Sequence, residues 1–119
     1  MVMPTHLLAP GLDEAEIATF SEPVLHGELR QYLNFEGIII SDDLQMLGAL
    51  GETDIAGAAI KSLSAGCDLL IYGNLSVTLE SLAEQVVEQL RDNDILRAIL
   101  TERQNKVRKF ITKNAEILS

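Results

Sequence analysis

The chain has 119 residues, about one domain's worth, and 47% of them are hydrophobic against 23% charged, a balance that argues against a wholly disordered polypeptide. No apolar run approaches the roughly 18 residues of a membrane span and no basic-then-apolar leader opens the chain, so the expectation is a cytoplasmic protein with no membrane partner. The net charge of −9 is carried by the first 100 residues, with 16 acidic to 4 basic side chains, which would repel phosphate and argues against nucleic acid as a partner.

In chain order, residues 1–8 read as a first strand, with Pro4 confining it to an edge or a bulge. Ser21 is placed to cap a helix running to about Leu33, with Pro23 in its first turn and Val24, Leu25, Leu29, Tyr32 and Leu33 on one apolar face. Residues 37–41 form a second strand, in which Gly37 precedes Ile38, Ile39 and Ile40. Asp42 and Asp43 come immediately after. Thr53 and Asp54 signal the start of a helix from Ile55 to about Ala65, with Ile55, Ala59 and Leu63 aligned and Gly66 as the stop. A third strand spans residues 67–72. Its lone Cys67 lies in an apolar run, which suits an inert buried thiol better than a nucleophile.

Gly73 and Asn74 then turn the chain, and Ser76 is placed to cap a helix with Leu79, Leu82, Ala83, Val86 and Leu90 opposite Glu80, Glu84 and Glu88. Asp92, Asn93 and Asp94 break that pattern. A last helix carries Ile95, Leu96, Ile99, Leu100, Val107, Phe110 and Ile111, with Arg103, Lys106, Arg108, Lys109 and Lys113 spaced like a solvated face. Strand-like and helical segments alternate throughout, the pattern of an α/β fold with a parallel sheet and crossover helices.

Parallel α/β folds place their chemistry at the C-terminal ends of strands, and two adjacent carboxylates at such an end mark an active-site address. In an extended strand Asp42 and Asp43 point to opposite sides, so Asp43 is expected to bond loop amides or cap a helix. His6, near the end of the first strand, could face the same mouth; a structural or pocket-lining role suits it best. Met46 suits either pocket lining or core filling. His26 reads as a surface residue, and Asp68, at the start of the third strand, as a cap or ion-pair partner. Neither the histidines nor the cysteine show metal-ligand spacing, so no metal or cofactor is expected.

The run from Asn34 through Ile40 and on through Ser41, Asp42, Asp43, Leu44, Gln45 and Met46 resembles the nucleophile strand of the glycoside hydrolase family 3 β-N-acetylglucosaminidases, written roughly G-F-x-G, two hydrophobic residues, then S-D-D-L-x-M. Met3-Pro4-Thr5-His6 resembles that family's preceding barrel strand. Phe20 to Leu25 with Leu29 and Arg30 resembles its next helix entry, and Ala58 to Leu70 the A-x-x-A-L-x-A-G-x-D-x-L-L segment before the final strand. The resemblance implies a partial (β/α)8 TIM barrel over residues 1–119, its C-terminal portion, with about three parallel strands, crossover helices and a C-terminal helix pair. It implies Asp42 as the catalytic nucleophile, Met46 and His6 as substrate-binding residues, and hydrolysis of terminal β-N-acetylglucosamine from peptidoglycan fragments with retention through a glycosyl-aspartate.

The 119 residues hold no K-H-F-P-G-H-G loop, the family's acid/base segment, so the chain alone is expected to be inactive. An amino-sugar glycoside would be its ligand once the barrel is completed, by a homo-oligomer or a complementing chain. A non-catalytic remnant or interaction module from a split gene is the alternative. A receiver-like signalling domain fits less well, because the third strand ends in Tyr72, Gly73 and Asn74 with no carboxylate and Lys61 falls inside a helix.

Overall fold

The computed structural model describes residues 1–48, 53–75 and 77–118. At its centre, strand β3 (Ile40–Asp43) pairs in parallel with β4 (Leu69–Ile71), and Val2 forms a single parallel bridge with Ile39 on the other side of β3. The three segments lie side by side in chain order, an α/β arrangement with a small parallel sheet.

The first strand is far shorter than residues 1–8. Val2 donates to the Ile38 carbonyl and accepts from the Ile40 N–H, both at 2.9 Å. Two residues on, the next backbone donor directed at β3 would belong to Pro4, which has none, and the ladder stops. The chain then enters a hairpin that the sequence did not lead us to expect, with β1 (Leu8–Ala9) antiparallel to β2 (Asp13–Ile17). Its turn closes with Leu12 N–H on the Ala9 carbonyl at 3.0 Å, with Pro10 second and Gly11 third at φ 96°. Proline then a residue at positive φ is the signature of a type II turn, so Pro10-Gly11 was the available signal. Asp13 then gathers the Ser21 hydroxyl (2.7 Å) and the amides of Ala15 and Glu16, and these bonds, Ser21's foremost, hold its carboxyl below the ordinary value.

The next helix, Pro23–Tyr32, is wound as a π-helix, and Leu33 N–H reaches five residues back to the Glu28 carbonyl at 2.8 Å. The wider turn advances less per residue, so positions that would stack on an α-helix drift apart. Leu25 is fully buried and Val24 and Leu29 pack on the core, but Tyr32 and Leu33, expected on the same face, are exposed. Asn34, at φ 53°, reverses the chain and lets Phe35 N–H bond the Leu29 carbonyl.

In β3 the paired residues lie closer to the aspartates than residues 37–41, and both carboxylate residues belong to the strand. Ile38 and Ile39 are fully shielded while Ile40 is half-buried. Ile39 packs with Leu25, Ala65 and Cys67. Helix α1 (Leu44–Gly48) continues directly from β3, and α2 (Ile55–Ala65) starts as expected, with Asp54 Oδ1 accepting from Gly57 N–H. The buried side of α2 is lined by Ala58, Ala59, Ser62 and Ala65, with Ile55 and Leu63 only half-buried, so the helix approaches the sheet closely. Gly66 ends it at φ 141°. A Cβ there would meet Leu25 Cβ at 2.9 Å, so Gly66→Ala combines backbone strain with a clash. It should cost about 1 to 3 kcal/mol in urea denaturation.

Thr78, not Ser76, caps α3 (Leu79–Leu90), accepting from Ser81 N–H at 3.1 Å; Ser76 lies outside the described residues. On the expected stripe Leu82 is buried, Val86 and Leu90 are half-buried, and Leu79 and Ala83 face solvent. The last helix, α4 (Asp94–Leu118), docks only in part as expected, with Ile99, Leu100, Val107 and Phe110 half-buried and Arg108, Lys109 and Lys113 exposed. Leu96 is buried, yet Ile95 and Ile111 are exposed, while Arg103 and Lys106 turn inward to the carboxylate of Asp68 at 3.9 and 3.5 Å. Asp68 is fully buried and also takes the Arg30 guanidinium (2.6 Å) and the Ile39 N–H (2.9 Å) on one oxygen. Arg30 in turn donates to the Phe35 and Gly37 carbonyls at 2.9 and 2.6 Å. A buried carboxylate requires compensating charge, and that requirement draws two of the tail's five cations off the surface. Burial lowers the Lys106 ammonium below its ordinary value, opposed by Asp68 and reinforced by Arg30 and Arg103. Burial next to Asp68 likewise pushes the Cys67 thiol up to about 12, which leaves it un-ionised and inert.

Candidate active site

The C-terminal end of β3 carries the chemistry-bearing groups. Ser41 is fully buried, and its hydroxyl accepts from Ile71 N–H at 3.0 Å, replacing a missing ladder bond between β3 and β4. Asp43 Oδ1 accepts from Gly73 N–H (3.1 Å) and Gln45 N–H (3.0 Å), so one carboxylate caps the start of α1 and pins the loop leaving β4. Gln45 Oε1 accepts from Asn74 N–H beside it. Those amide bonds, Gly73's foremost, hold the Asp43 carboxyl below its ordinary value, with a smaller contribution from His6. The expectation that Asp43 bonds loop amides holds. Gln45 and Gly73 were missed as its partners, and Ser41 as the hydroxyl that ties β3 to β4; only a serine at the end of the isoleucine run hinted at a specific role.

Asp42 is half-exposed, and its Oδ1 accepts from Asp43 N–H at 2.7 Å. Among the described residues its second oxygen has no hydrogen-bond partner. A carboxylate oriented at one oxygen and open at the other is disposed to attack an electrophilic carbon. His6 reaches the same strand end, with Nε2 on the Asp43 carbonyl at 2.9 Å and Nδ1 on the Thr19 hydroxyl at 2.8 Å. Met46 lies in α1 and is 58% exposed, away from the core cluster. His26 is exposed on the π-helix, and Asp68 is held at the opposite end of the strands. Among the described residues no three His, Cys, Asp or Glu side chains gather as a metal site, and no helix is long and apolar enough to cross a membrane.

Gly73 shows how tightly the strand ends are joined, since a Cβ there would stand 2.4 Å from Asp43 Oδ2. Gly73→Ala should therefore push the carboxylate off both amides and cost about 1 kcal/mol or more. The same tie is pH-dependent in a fixed sense. Because the folded Asp43 carboxyl is depressed below its unfolded value, its contribution is present above about pH 4 and is lost as pH falls through the depressed folded value. The Gly73 amide resonance, monitored on acidification, should report the loss, and a flat response would show that the bond does not depend on the ionised carboxylate.

Residues 1–110 match the family described as the glycosyl hydrolase family 3 N terminal domain. The chain belongs to glycosyl hydrolase family 3. Within the family it is similar to proteins named β-hexosaminidase, at 44% identity over 73 residues with that of Methylobacillus flagellatus (61% of this chain, 21% of the relative) and 39% over 95 residues with that of Neisseria meningitidis serogroup C (80% and 26%). The chain thus spans about a fifth to a quarter of the length of these family 3 relatives. Among solved structures, the β-N-acetylglucosaminidase of Thermotoga maritima superposes with a TM-score of 0.81 at 24% identity, over 93% of this chain and 24% of that one, a likeness of fold. The β-N-acetylhexosaminidase of Beutenbergia cavernae gives 0.78 at 26% identity, over 89% and 31%.

Proposed function

We propose that the chain is the C-terminal portion of a family 3 (β/α)8 barrel and supplies the nucleophile, Asp42, of a retaining β-N-acetylhexosaminidase acting in the cytoplasm on terminal β-N-acetylglucosamine of peptidoglycan fragments. The observation that carries the reading is a half-exposed carboxylate, oriented at one oxygen by Asp43 N–H and open at the other, at the C-terminal end of a central parallel strand in a family 3 chain. In this reading Asp42 attacks the anomeric carbon, the glycosidic oxygen leaves with a proton from a second group, and water then releases the sugar from the aspartyl ester. Met46, exposed one turn beyond Asp42, lines the sugar site. These 119 residues supply the nucleophile, and the acid/base segment and the remaining strands of the barrel lie outside them.

The test is complementation on an aryl N-acetylglucosaminide. The chain alone should give no turnover, since general acid assistance is worth about 10² to 10⁴-fold and mispositioned substrate loses more. Adding a polypeptide that supplies the rest of the barrel from the Methylobacillus flagellatus relative should restore turnover, and Asp42→Asn should remove it by on the order of 10⁴-fold. Restored activity that survives Asp42→Asn would refute the nucleophile assignment.

A further inference from the structure

We propose that His6 is a positioning residue for Asp42, acting through the backbone of Asp43 and leaving no ring nitrogen for sugar or for proton transfer. The proposal takes its purpose from the reading of Asp42 as nucleophile, but its geometry is independent of that reading. The Asp43 carbonyl can only accept, so His6 Nε2 carries the proton in the 2.9 Å contact between them. At the other nitrogen, Thr19 Oγ1 lies 2.8 Å from Nδ1 and 3.1 Å from the Thr5 carbonyl. The single hydroxyl proton goes to Nδ1 when the ring is neutral and to Thr5 when the ring is an imidazolium. In both states Nε2–H remains the donor to Asp43, because Thr19 is fully buried and can answer either form.

The consequence falls on Asp42. Asp43 is held at its side chain by Gly73 and Gln45 and at its carbonyl by His6, which leaves its own N–H directed at Asp42 Oδ1 at 2.7 Å. Fixing the side chain and the carbonyl of Asp43 places its nitrogen, and with Asp42 held in β3 on the other side the peptide between the two aspartates is held as well; its N–H sets the face the Asp42 carboxylate presents. Without His6 the Asp43 carbonyl loses its side-chain tie to the first segment, and the reference that orients the nucleophile is loosened. The spatial link joins residues 37 apart in sequence, between the first segment of the sheet and the strand that carries the carboxylate.

Nuclear magnetic resonance on the full 119-residue chain tests this without any turnover. In the unaltered protein, long-range nitrogen–proton spectra of the ring should show His6 protonated at Nε2, with an Nε2–H resonance protected from solvent. An Nδ1–H tautomer with bare Nε2 would overturn the proposal whether or not any variant folds. In His6→Phe, the Asp43 amide should exchange about tenfold faster or more, the equivalent of one lost hydrogen bond, and the Asp42 carboxyl carbon should shift, while the core Ile39 amide stays protected. His6→Gln, whose side-chain amide can donate to the same carbonyl, should restore both signals. A folded His6→Phe with unchanged Asp42 and Asp43 signals would refute the positioning role. Failure of the nucleophile assignment would show separately, as complemented activity that survives Asp42→Asn.

Discussion

Asp68→Ala should unfold the chain or remove about 3 to 5 kcal/mol of its stability, the range for deleting one partner of a buried ion pair. The side chain is fully shielded and meets three cations, with Arg30 at 2.6 Å, Lys106 at 3.5 Å and Arg103 at 3.9 Å, and it also accepts the Ile39 N–H. Removing it leaves Arg30 with only the Phe35 and Gly37 carbonyls and Arg103 with only the exposed Glu102 at 3.8 Å, although both side chains are just 13% exposed, and leaves a core-strand amide without its acceptor. The damage reaches three elements at once. The loop at Phe35 and Gly37 is held by the same Arg30, and α4 is held to the sheet through Arg103 and Lys106. Asp68→Asn keeps an oxygen for Ile39 and should recover part of the loss. Urea denaturation decides it, and a loss below about 1 kcal/mol for Asp68→Ala would mean that apolar contacts alone seat α4.

Ile39→Lys should abolish cooperative folding, whereas Asp42→Asn should change stability by no more than about 0.5 kcal/mol. Ile39 is fully buried against Leu25, Ala65 and Cys67, none of which can pair with an ammonium, and it lies between Val2 on one side and β4 on the other. An unpaired cation there costs several kcal/mol, a large share of the roughly 5 to 15 kcal/mol that holds an ordinary domain. Lysine at the half-buried Ile40 should be less severe, because the stem can carry the charge to the open face. Asp42→Asn keeps the shape and the acceptor for Asp43 N–H while removing a charge beside Asp43. If circular dichroism and denaturation showed Ile39→Lys folding normally and Asp42→Asn unfolding, both the buried strand and the nucleophile assignment would be lost.

Much of the local structure was legible because its signals act over a few residues. Asp54 and Gly66 bracket α2 as expected, since an N-cap carboxylate and a residue with positive φ work through their immediate neighbours. Pro10 and Gly11 carried an equally local turn signal that the reading of residues 1–8 as one strand left unused. The face of the Pro23–Tyr32 helix was misjudged for a different reason, since apolar spacing reveals which residues are apolar but not the winding that decides which of them share a side. The position of Asp42 was legible from the isoleucine run that ends beside it. Its orientation was not, because it is set through Asp43 by Gly73 and His6, which lie 30 and 37 residues from Asp43 in sequence.

By itself, then, the sequence determined the family, the α/β alternation, the ends of α2 and the strand end where Asp42 stands, all of which arise from side chains close in the chain. Only the tertiary structure decided that the first segment contributes one bridge and a hairpin, that Arg103 and Lys106 leave the surface for Asp68, and that His6 commits both ring nitrogens to the protein. Each of those outcomes depends on groups brought together by folding. There, a missing N–H, an unpaired buried charge or a carbonyl that can only accept selects its partner by proximity and not by spacing along the chain.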